Sequence, residues 1–315
     1  MITYSTIIFD MAIAVVSGGA GFIGSHLQDH LLDRGYYVVV IDNFSTGKKS
    51  NLNRKSRVCQ IDLLDKPSLV QLIDDLNPEF IFHLAAISNV KDSLVNPSKC
   101  HDVNVNGSLN LLEAAVRSKN LKSFVYASSA AVYGDIDDKH LPIKENKVGL
   151  PLSTYGLTKK VFEDYLAYFS SKYGFNGVSL RKANVYGSRQ SHSSEGGVIS
   201  IFLDRIKKDL PVNIYGDGSH TRDYVYVKDV IDAYLKAALM GKPGAYNISN
   251  CQEISTMNLY QIITKILGVK SLPKLCEPRV GDIYRSCLNN RLANEKLGWK
   301  PKYDLEAGLK DMLNI

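Results

Sequence analysis

The stretch that decides the fold runs Ala12-Ile-Ala-Val-Val-Ser17 straight into Gly18-Gly19-Ala20-Gly21-Phe22-Ile23-Gly24. The first six residues form a short apolar, β-branched run of the kind buried on both faces of a sheet. Residues 22–34 then carry helical periodicity, closed by Gly35. Between strand and helix, Gly18 permits a tight turn and Gly21 lets backbone approach a pyrophosphate. Gly24 lets helix and strand pack closely. Phe22 and Ile23 open the helix, whose free N–H groups face the same phosphates. The next apolar run, 37–41, ends at Asp42. An acid there binds adenosine ribose hydroxyls and repels a ribose phosphate, which favours NAD over NADP. Lys48 and Lys49 are the features that oppose that preference.

Outward from this unit the pattern repeats. Apolar runs at 58–61, 80–84 and 123–127 alternate with helical stretches at 67–76 and 108–117. Buried strands alternating with helices predict an α/β fold, a Rossmann-type doubly wound parallel sheet. Beyond residue 181 the pattern loosens into shorter elements between Gly-rich loops, with a late apolar helical run at 259–267. The chain of 315 residues is long enough for two domains. The expected division is a nucleotide-binding domain over 1–182 and a smaller, interleaved C-terminal α/β substrate domain over 183–315, with 220–248 returning to the first.

Composition narrows the class. Charged residues make 22% of the chain and hydrophobic residues 45%, ordinary globular usage. The net charge of +6 is spread along the chain, which fits an anionic small molecule rather than nucleic acid. No apolar run reaches the roughly 18 residues a membrane helix needs. Five cysteines without a Cys-x-x-Cys pair predict neither structural zinc nor a disulfide scaffold, and a reducing, cytoplasmic setting. Residues 1–10 do not read as a signal peptide; with Met11 just ahead of the first strand, they read as an extension.

Tyr155 and Lys159 stand four apart, on one face of a helix. A nearby ammonium favours phenolate and brings a tyrosine toward acid–base strength near neutral pH. The spacing alone is weak, because Tyr168/Lys172 and Tyr224/Lys228 repeat it. What separates the first pair is its place one strand–loop–helix unit after Ser128-Ser129. Asp62, after the 58–61 run, is read equally as an adenine contact and as a helix cap. His26 and His30 share a helix face, but lack a third ligand, so no metal is expected.

Taken together, GGAGFIG (18–24), HLAA (83–86), SSAAVYG (128–134), YGLTK (155–159) and NVYG (184–187) occur in the order seen in extended short-chain dehydrogenases/reductases. TRDYVYVKDV (221–230), YNIS (246–249), RVGD (279–282) and LGWKP (297–301) carry the match nearly to the end. The set resembles the NAD-dependent sugar-nucleotide epimerase/dehydratase family, and within it the UDP-hexose 4-epimerases.

That resemblance implies bound NAD, held by Gly18, Gly21, Phe22, Ile23, Gly24, Asp42, Asn43, Ser45, Gly47, Asp62, Leu63, Leu84, Ala85, Ala86, Asn104, Tyr155 and Lys159. It implies that Tyr155 is the acid/base on the sugar 4-hydroxyl, assisted by Lys159, while Ser129 shuttles the proton. A 4-keto sugar would form, turn over and be reduced on its opposite face. The UDP-sugar would meet Ser88, Asn89, Ser129, Tyr155, Asn184, Val198, Ile199, Tyr215, Arg222, Arg279, Asp282 and Ser286. Ala130-Ala131 stand where related dehydratases carry Asp-Glu, and methyl groups cannot move protons, so dehydration and decarboxylation are not expected. Ser286, four residues after Asp282, is a small residue where a tyrosine would close the space beside sugar C2. This implies that N-acetylated UDP-sugars enter. A homodimer through the helices after Ser108 and Tyr155 is implied as well; Leu112 and Phe162 on them are apolar, which core packing explains equally. The readings kept open are a UDP-glucuronate-type epimerase, another NAD(P)-dependent sugar-nucleotide oxidoreductase, and a non-catalytic dinucleotide sensor. One departure stands out: where relatives often read LRYFNVYG, this chain has Lys182-Ala183 before Asn184.

Overall fold

The computed structural model describes residues 11–147, 149–191, 197–278 and 283–315. Five strands follow the sequence pattern, β1 (Ile13–Ser17), β2 (Tyr37–Ile41), β3 (Arg57–Cys59), β4 (Phe80–His83) and β5 (Ser123–Ser129), and a sixth, β6 (Asn176–Lys182), was not anticipated. Four short strands follow, β7 (Asn184–Tyr186), β8 (Asn213–Tyr215), β9 (Thr221–Arg222) and β10 (Tyr224–Tyr226). Then β11 (Gly244–Ile248) returns to lie beside β6. The main sheet has seven parallel strands in the order β11-β6-β5-β4-β1-β2-β3. The order reverses between β1 and β4, and that is where a doubly wound sheet opens a crevice at its carboxyl edge.

The helices of the first half are α1 (Phe22–Asp33), α2 (Lys66–Leu76), α3 (Val90–Val95), α4 (Pro97–His101), α5 (Ser108–Ala115) and α6 (Thr154–Tyr173). They are followed by α7 (Val198–Lys207), α8 (Val227–Met240), α9 (Thr256–Leu267), α10 (Arg291–Leu297) and α11 (Leu305–Leu313). The sheet's two faces carry separate cores. One packs Val16, Val40 and Phe82 against Leu27 of α1 and Tyr234 of α8. The other packs Val15, Ile81 and Tyr126 against Leu72 of α2, Leu112 of α5 and Phe162 of α6. Leu112 and Phe162, which the sequence left equally to a contact between subunits or to the core, are both 0% exposed and belong to this core.

The sequence missed some boundaries for local reasons. The run at 58–61 forms a strand only over Arg57–Cys59, at the sheet's edge, with Arg57 and Val58 exposed. Asp62 therefore lies beyond the strand end rather than on it. The helical stretch predicted at 108–117 continues a longer helical segment that starts at Pro97 and passes through a π-helical turn at Asp102–Gly107. β5 runs two residues further than predicted and carries Ser128 and Ser129 at its end.

A buried histidine ties the carboxyl ends of β1 and β4 together. Ser108 donates to the Asn104 carbonyl at 2.7 Å, so its oxygen accepts from Nε2 of His83 at 2.7 Å. Nδ1 then accepts from the Ser17 hydroxyl at 2.6 Å, whose oxygen takes the Leu84 and Ala85 N–H groups. Full burial pushes His83 down to about 3, so the ring is neutral. The native state thus takes up this proton only near pH 3, whereas the unfolded chain binds it below about 6.5. Stability is lost as pH falls from about 6.5 toward 3, by about 2 kcal/mol already at pH 5 from this one group. Thermal melts at pH 7 and pH 5 check this. The pH-dependent difference should shrink in His83→Asn, although that variant starts lower.

The segment after α8 is pinned from beneath. Trp299, fully buried, donates its indole N–H to the Asp229 carbonyl at 2.9 Å. The Asp229 carboxylate accepts the Lys302 and Tyr303 N–H groups. The KDV and LGWKP motifs therefore meet as one structural joint.

Candidate active site

The glycine loop is built as a cradle. Gly18 has φ of +72°, and a Cβ there would lie 2.6 Å from the Ala85 nitrogen. A Cβ on Gly24 would lie 2.2 Å from the Gly18 carbonyl oxygen. At Gly21 a Cβ would meet only that same oxygen, at 3.2 Å, and otherwise open space. Two of the glycines are thus demanded by packing, and the third leaves free the room that a pyrophosphate would fill.

Asp42 is 7% exposed, and its carboxylate accepts the Ala20 N–H at 3.0 Å and the Phe44 N–H at 2.8 Å. It ties the glycine loop to the end of β2. A Cβ on Gly47 would come within 2.8 Å of a carboxylate oxygen, so glycine keeps the approach to Asp42 clear. Asn43 donates to Asp62 at 2.8 Å and accepts the Ser45 N–H at 2.9 Å, which sets the rest of this rim. Asp62 does not cap α2; Asp65 does. Asp62 accepts the Leu64 N–H at 2.9 Å and closes a local turn. Leu63 is buried beneath it, and Leu84, Ala85 and Ala86 line the turn after β4. These residues fit the adenosine and pyrophosphate of a dinucleotide.

Asn104 departs from expectation. Its amide is engaged by protein: Oδ1 accepts the Ile87 N–H at 2.8 Å, and Nδ2 donates to the Ile87 carbonyl at 3.0 Å and to Thr158 at 3.1 Å. It clamps the segment after β4 to α6 instead of reaching into the crevice.

Ser153 caps α6 by accepting the Gly156 N–H at 3.1 Å, which places Tyr155 in the first turn. The Ser129 hydroxyl, at the end of β5, lies close enough to the Tyr155 phenol to favour its ionised form. Lys159 lies one turn on, its ammonium 5.7 Å from the Tyr155 ring centre and 4.7 Å from that of Tyr126. The structure therefore brings Ser129, Tyr155 and Lys159 together. Burial pulls Lys159 down to about 7. Burial also pushes the Tyr155 phenol above its ordinary value, with Ser129 acting the other way. The sequence argument expected the ammonium to lower the phenol; in this protein burial dominates and the phenol rises, opposed by Ser129 rather than by Lys159. Tyr168 is 59% exposed, as a surface residue should be.

On the substrate side, Asn184, Val198 and Ile199 meet in one small pocket, with Tyr186, Gln190 and Tyr224 completing it. The Ile199 side chain is buried in the core, so it offers backbone only. Tyr215 ends β8. Arg222, half-buried on β9, donates to the Thr221 carbonyl at 2.7 Å. Ser88 is exposed after β4, but Asn89 is used as the cap of α3, accepting the Lys91 N–H at 2.9 Å. Ser286 is partly buried. Arg279 and Asp282 lie outside the described residues.

Several groups that shape the site escaped the sequence reading. Asp223 accepts the Asn250, Cys251 and Leu288 N–H groups at 3.0, 3.1 and 3.2 Å, fixing the segment that carries Ser286 next to β9. Burial pushes its carboxyl up to about 6. Arg181 grips Glu163 at 2.6 Å, and Glu163 in turn takes a hydrogen bond from Ser128. The only sequence signal was an acid or base in a stretch otherwise reading as buried strand or helix.

The model of the NAD dependent epimerase/dehydratase family matches residues 14–249. The chain belongs to that family. Its dinucleotide is NAD. The UDP-glucose 4-epimerase of Mycolicibacterium smegmatis is 38% identical over 302 residues, covering 94% of this chain and 95% of that one. The crystal structure of UDP-glucose 4-epimerase with UDP-glucose from Thermotoga maritima superposes with a TM-score of 0.93 at 39% identity, covering 96% of this chain and 97% of the other. A UDP-N-acetylglucosamine 4-epimerase from Methanobrevibacter ruminantium, in complex with UDP-N-acetylmuramic acid, gives 0.89 at 33% identity, covering 97% and 99%. Within this epimerase/dehydratase fold, no helix among the described residues is long and apolar enough to cross a membrane. The same residues contain no group of His, Cys, Asp and Glu suited to a metal ion.

Proposed function

We propose that the chain is a UDP-hexose 4-epimerase, interconverting UDP-glucose with UDP-galactose and UDP-N-acetylglucosamine with UDP-N-acetylgalactosamine. The observation that carries this is the convergence of Ser129, Tyr155 and Lys159 at one point, with Ala130-Ala131 following Ser129 on the chain. The Ser129–Tyr155 pair can take and return one proton on one sugar oxygen, and the alanines at 130 and 131 supply no acid there to eliminate water or carbon dioxide. Bound NAD would supply the hydride acceptor and donor at C4, so the cycle is redox-neutral. Lys159 stands beside the phenol, its amine pulled down to about 7 by burial. Tyr155 takes the 4-hydroxyl proton and gives one back, with Ser129 holding the oxygen in line. Arg222 and Arg279 bind the diphosphate. Asn184, Val198, Ile199, Tyr215 and Asp282 hold the rest of the nucleotide, and residues 183–315, interleaved with the NAD-binding part, form the UDP-sugar-binding domain.

The acetylated pair rests on Ser286. A serine leaves the space beside sugar C2 that a tyrosine would fill. A uronate is less well served. Arg285, beside Ser286, is held by Glu253 at 2.6 Å and Asp138 at 3.1 Å, and Arg181 is held by Glu163, so neither offers a free charge to a carboxylate. Ser286→Tyr should suppress the acetylated substrates about 10²-fold while changing the plain pair only a few-fold, since a missing fit is costlier than a spare one. Chromatographic separation of the epimers, run on both pairs with both proteins, reads the ratio. An unchanged ratio refutes the gate.

A homodimer is part of this reading, joined through the α6 region, where Leu157, Tyr165 and Tyr168 are exposed at 48%, 39% and 59%. Sedimentation at micromolar concentration should give a dimer; a monomer alone contradicts it.

A further inference from the structure

We propose that Lys182 is a positioning residue for Ser129, holding from the neighbouring strand the peptide that links Ser128 to Ser129. This rests on the epimerase reading above, because it assigns Lys182 a part in that reaction.

The geometry is specific. β6 runs beside β5 in parallel register, with Ser128 opposite Arg181 and Ser129 opposite Lys182. Lys182 is 9% exposed, and its Nζ donates to the Ser128 carbonyl oxygen at 2.6 Å. Its amine also lies 5.9 Å from the ring centre of Tyr234 on α8. The Ser128 side chain is held independently, by Glu163 of α6, which Arg181 grips in turn. The residue just before Ser129 is therefore clamped twice, through its hydroxyl by Arg181–Glu163 and through its carbonyl by Lys182.

A purely structural account of this lysine is weak. Among the described residues Lys182 has no carboxylate partner, because the nearby acid, Glu163, is taken by Arg181. A buried amine without an ion pair costs stability compared with an apolar side chain of the same length. The surroundings add to that cost. Burial and the neighbouring Lys159 hold the Lys182 amine well below its ordinary value, with Glu163 acting against them. What the lysine supplies in return is one strong hydrogen bond, to the carbonyl of the peptide whose other end is Ser129. A peptide group is planar, so fixing its oxygen fixes the direction in which the Ser129 Cα and hydroxyl leave the strand. The Ser129 hydroxyl must meet both the Tyr155 phenol and the sugar oxygen, and small displacements there are costly.

The test is a double-mutant cycle in the full-length protein, loaded with NAD, with UDP-glucose as substrate. Lys182→Met removes the donor and keeps the stem. It should lower kcat about tenfold and leave KM within about twofold, since positioning of a reacting group acts on the barrier. In a Ser129→Ala background the same change should cost less than about twofold, because the hydroxyl that Lys182 positions is already gone. An equal loss of kcat in both backgrounds would overturn the proposal, showing that Lys182 serves the fold generally. So would an unchanged kcat in the single variant. If Lys182→Met does not accumulate as folded protein, Lys182→Leu, which also removes the donor, enters the same cycle under the same criteria. Wild-type turnover is measured alongside. A wild type inert on UDP-hexoses defeats the epimerase reading and this proposal with it, whereas an active wild type with uncoupled variants defeats the positioning role alone.

Discussion

Tyr155→Phe is expected to lower epimerisation by roughly 10²–10⁴-fold while leaving fold and NAD content intact. The phenol hydroxyl is the group that Ser129 meets, and removing it leaves nothing at that point to take the sugar proton. The ring stays, so the packing of α6 and the contact with Lys159, 5.7 Å from the ring centre, should survive. The raised pKa of the phenol sharpens the expectation. Since burial makes the phenolate costly in the protein as it stands, activity should rise with pH before it falls. Tyr168→Phe, at an exposed position on the same helix, is the control and should change turnover little. Near-normal turnover in Tyr155→Phe would remove the residue from the chemistry. Initial rates over a pH series, with bound NAD measured by release on denaturation, check both halves.

The second large effect is expected at the loop. Gly24→Ala places a methyl 2.2 Å from the Gly18 carbonyl oxygen and 2.8 Å from the Gly19 Cα. Both are backbone atoms, so no side chain can swing away to make room. Either α1 lifts from β1 or the Gly18–Gly21 turn opens, and in each case the cradle loses its shape. Overpacking of this kind costs about 1–3 kcal/mol of stability. NAD retained through purification should fall at least about tenfold, because the loop's N–H groups no longer converge on the phosphates. The paired measurement is NAD content and melting temperature. A variant that purifies with full NAD and an unchanged melt would contradict the cradle.

Much of this was legible in the chain. The strand–glycine–helix unit at 12–34 specified the sheet because each glycine has one physical task, and the structure assigns two of those tasks to clashes with backbone. Tyr155, Lys159 and Ser129 could be paired because one follows a strand end and the others open a helix. The edges were less legible. The strand at Arg57–Cys59 is an exposed edge, where burial no longer imposes an apolar pattern and the boundary slips. Leu112 and Phe162 are apolar on two helices with neighbours on more than one side, and periodicity alone does not say which face meets the core. The resemblance placed Asn104 among the NAD contacts, whereas its amide is engaged by Ile87 and Thr158. Pairs such as Arg181–Glu163 and the three N–H groups on Asp223 join segments far apart in sequence. Nothing in local composition announces them, and only the folded chain brings them together.

The central claim is a redox-neutral exchange at one carbon, run by NAD that does not leave. UDP-galactose carrying deuterium at sugar C4 tests it most directly, incubated with the purified protein and no added NAD. The account predicts many turnovers to UDP-glucose with the deuterium retained at C4 and none exchanged with solvent. Loss of the label to water, or conversion that stops unless NAD is supplied for each turnover, would contradict it.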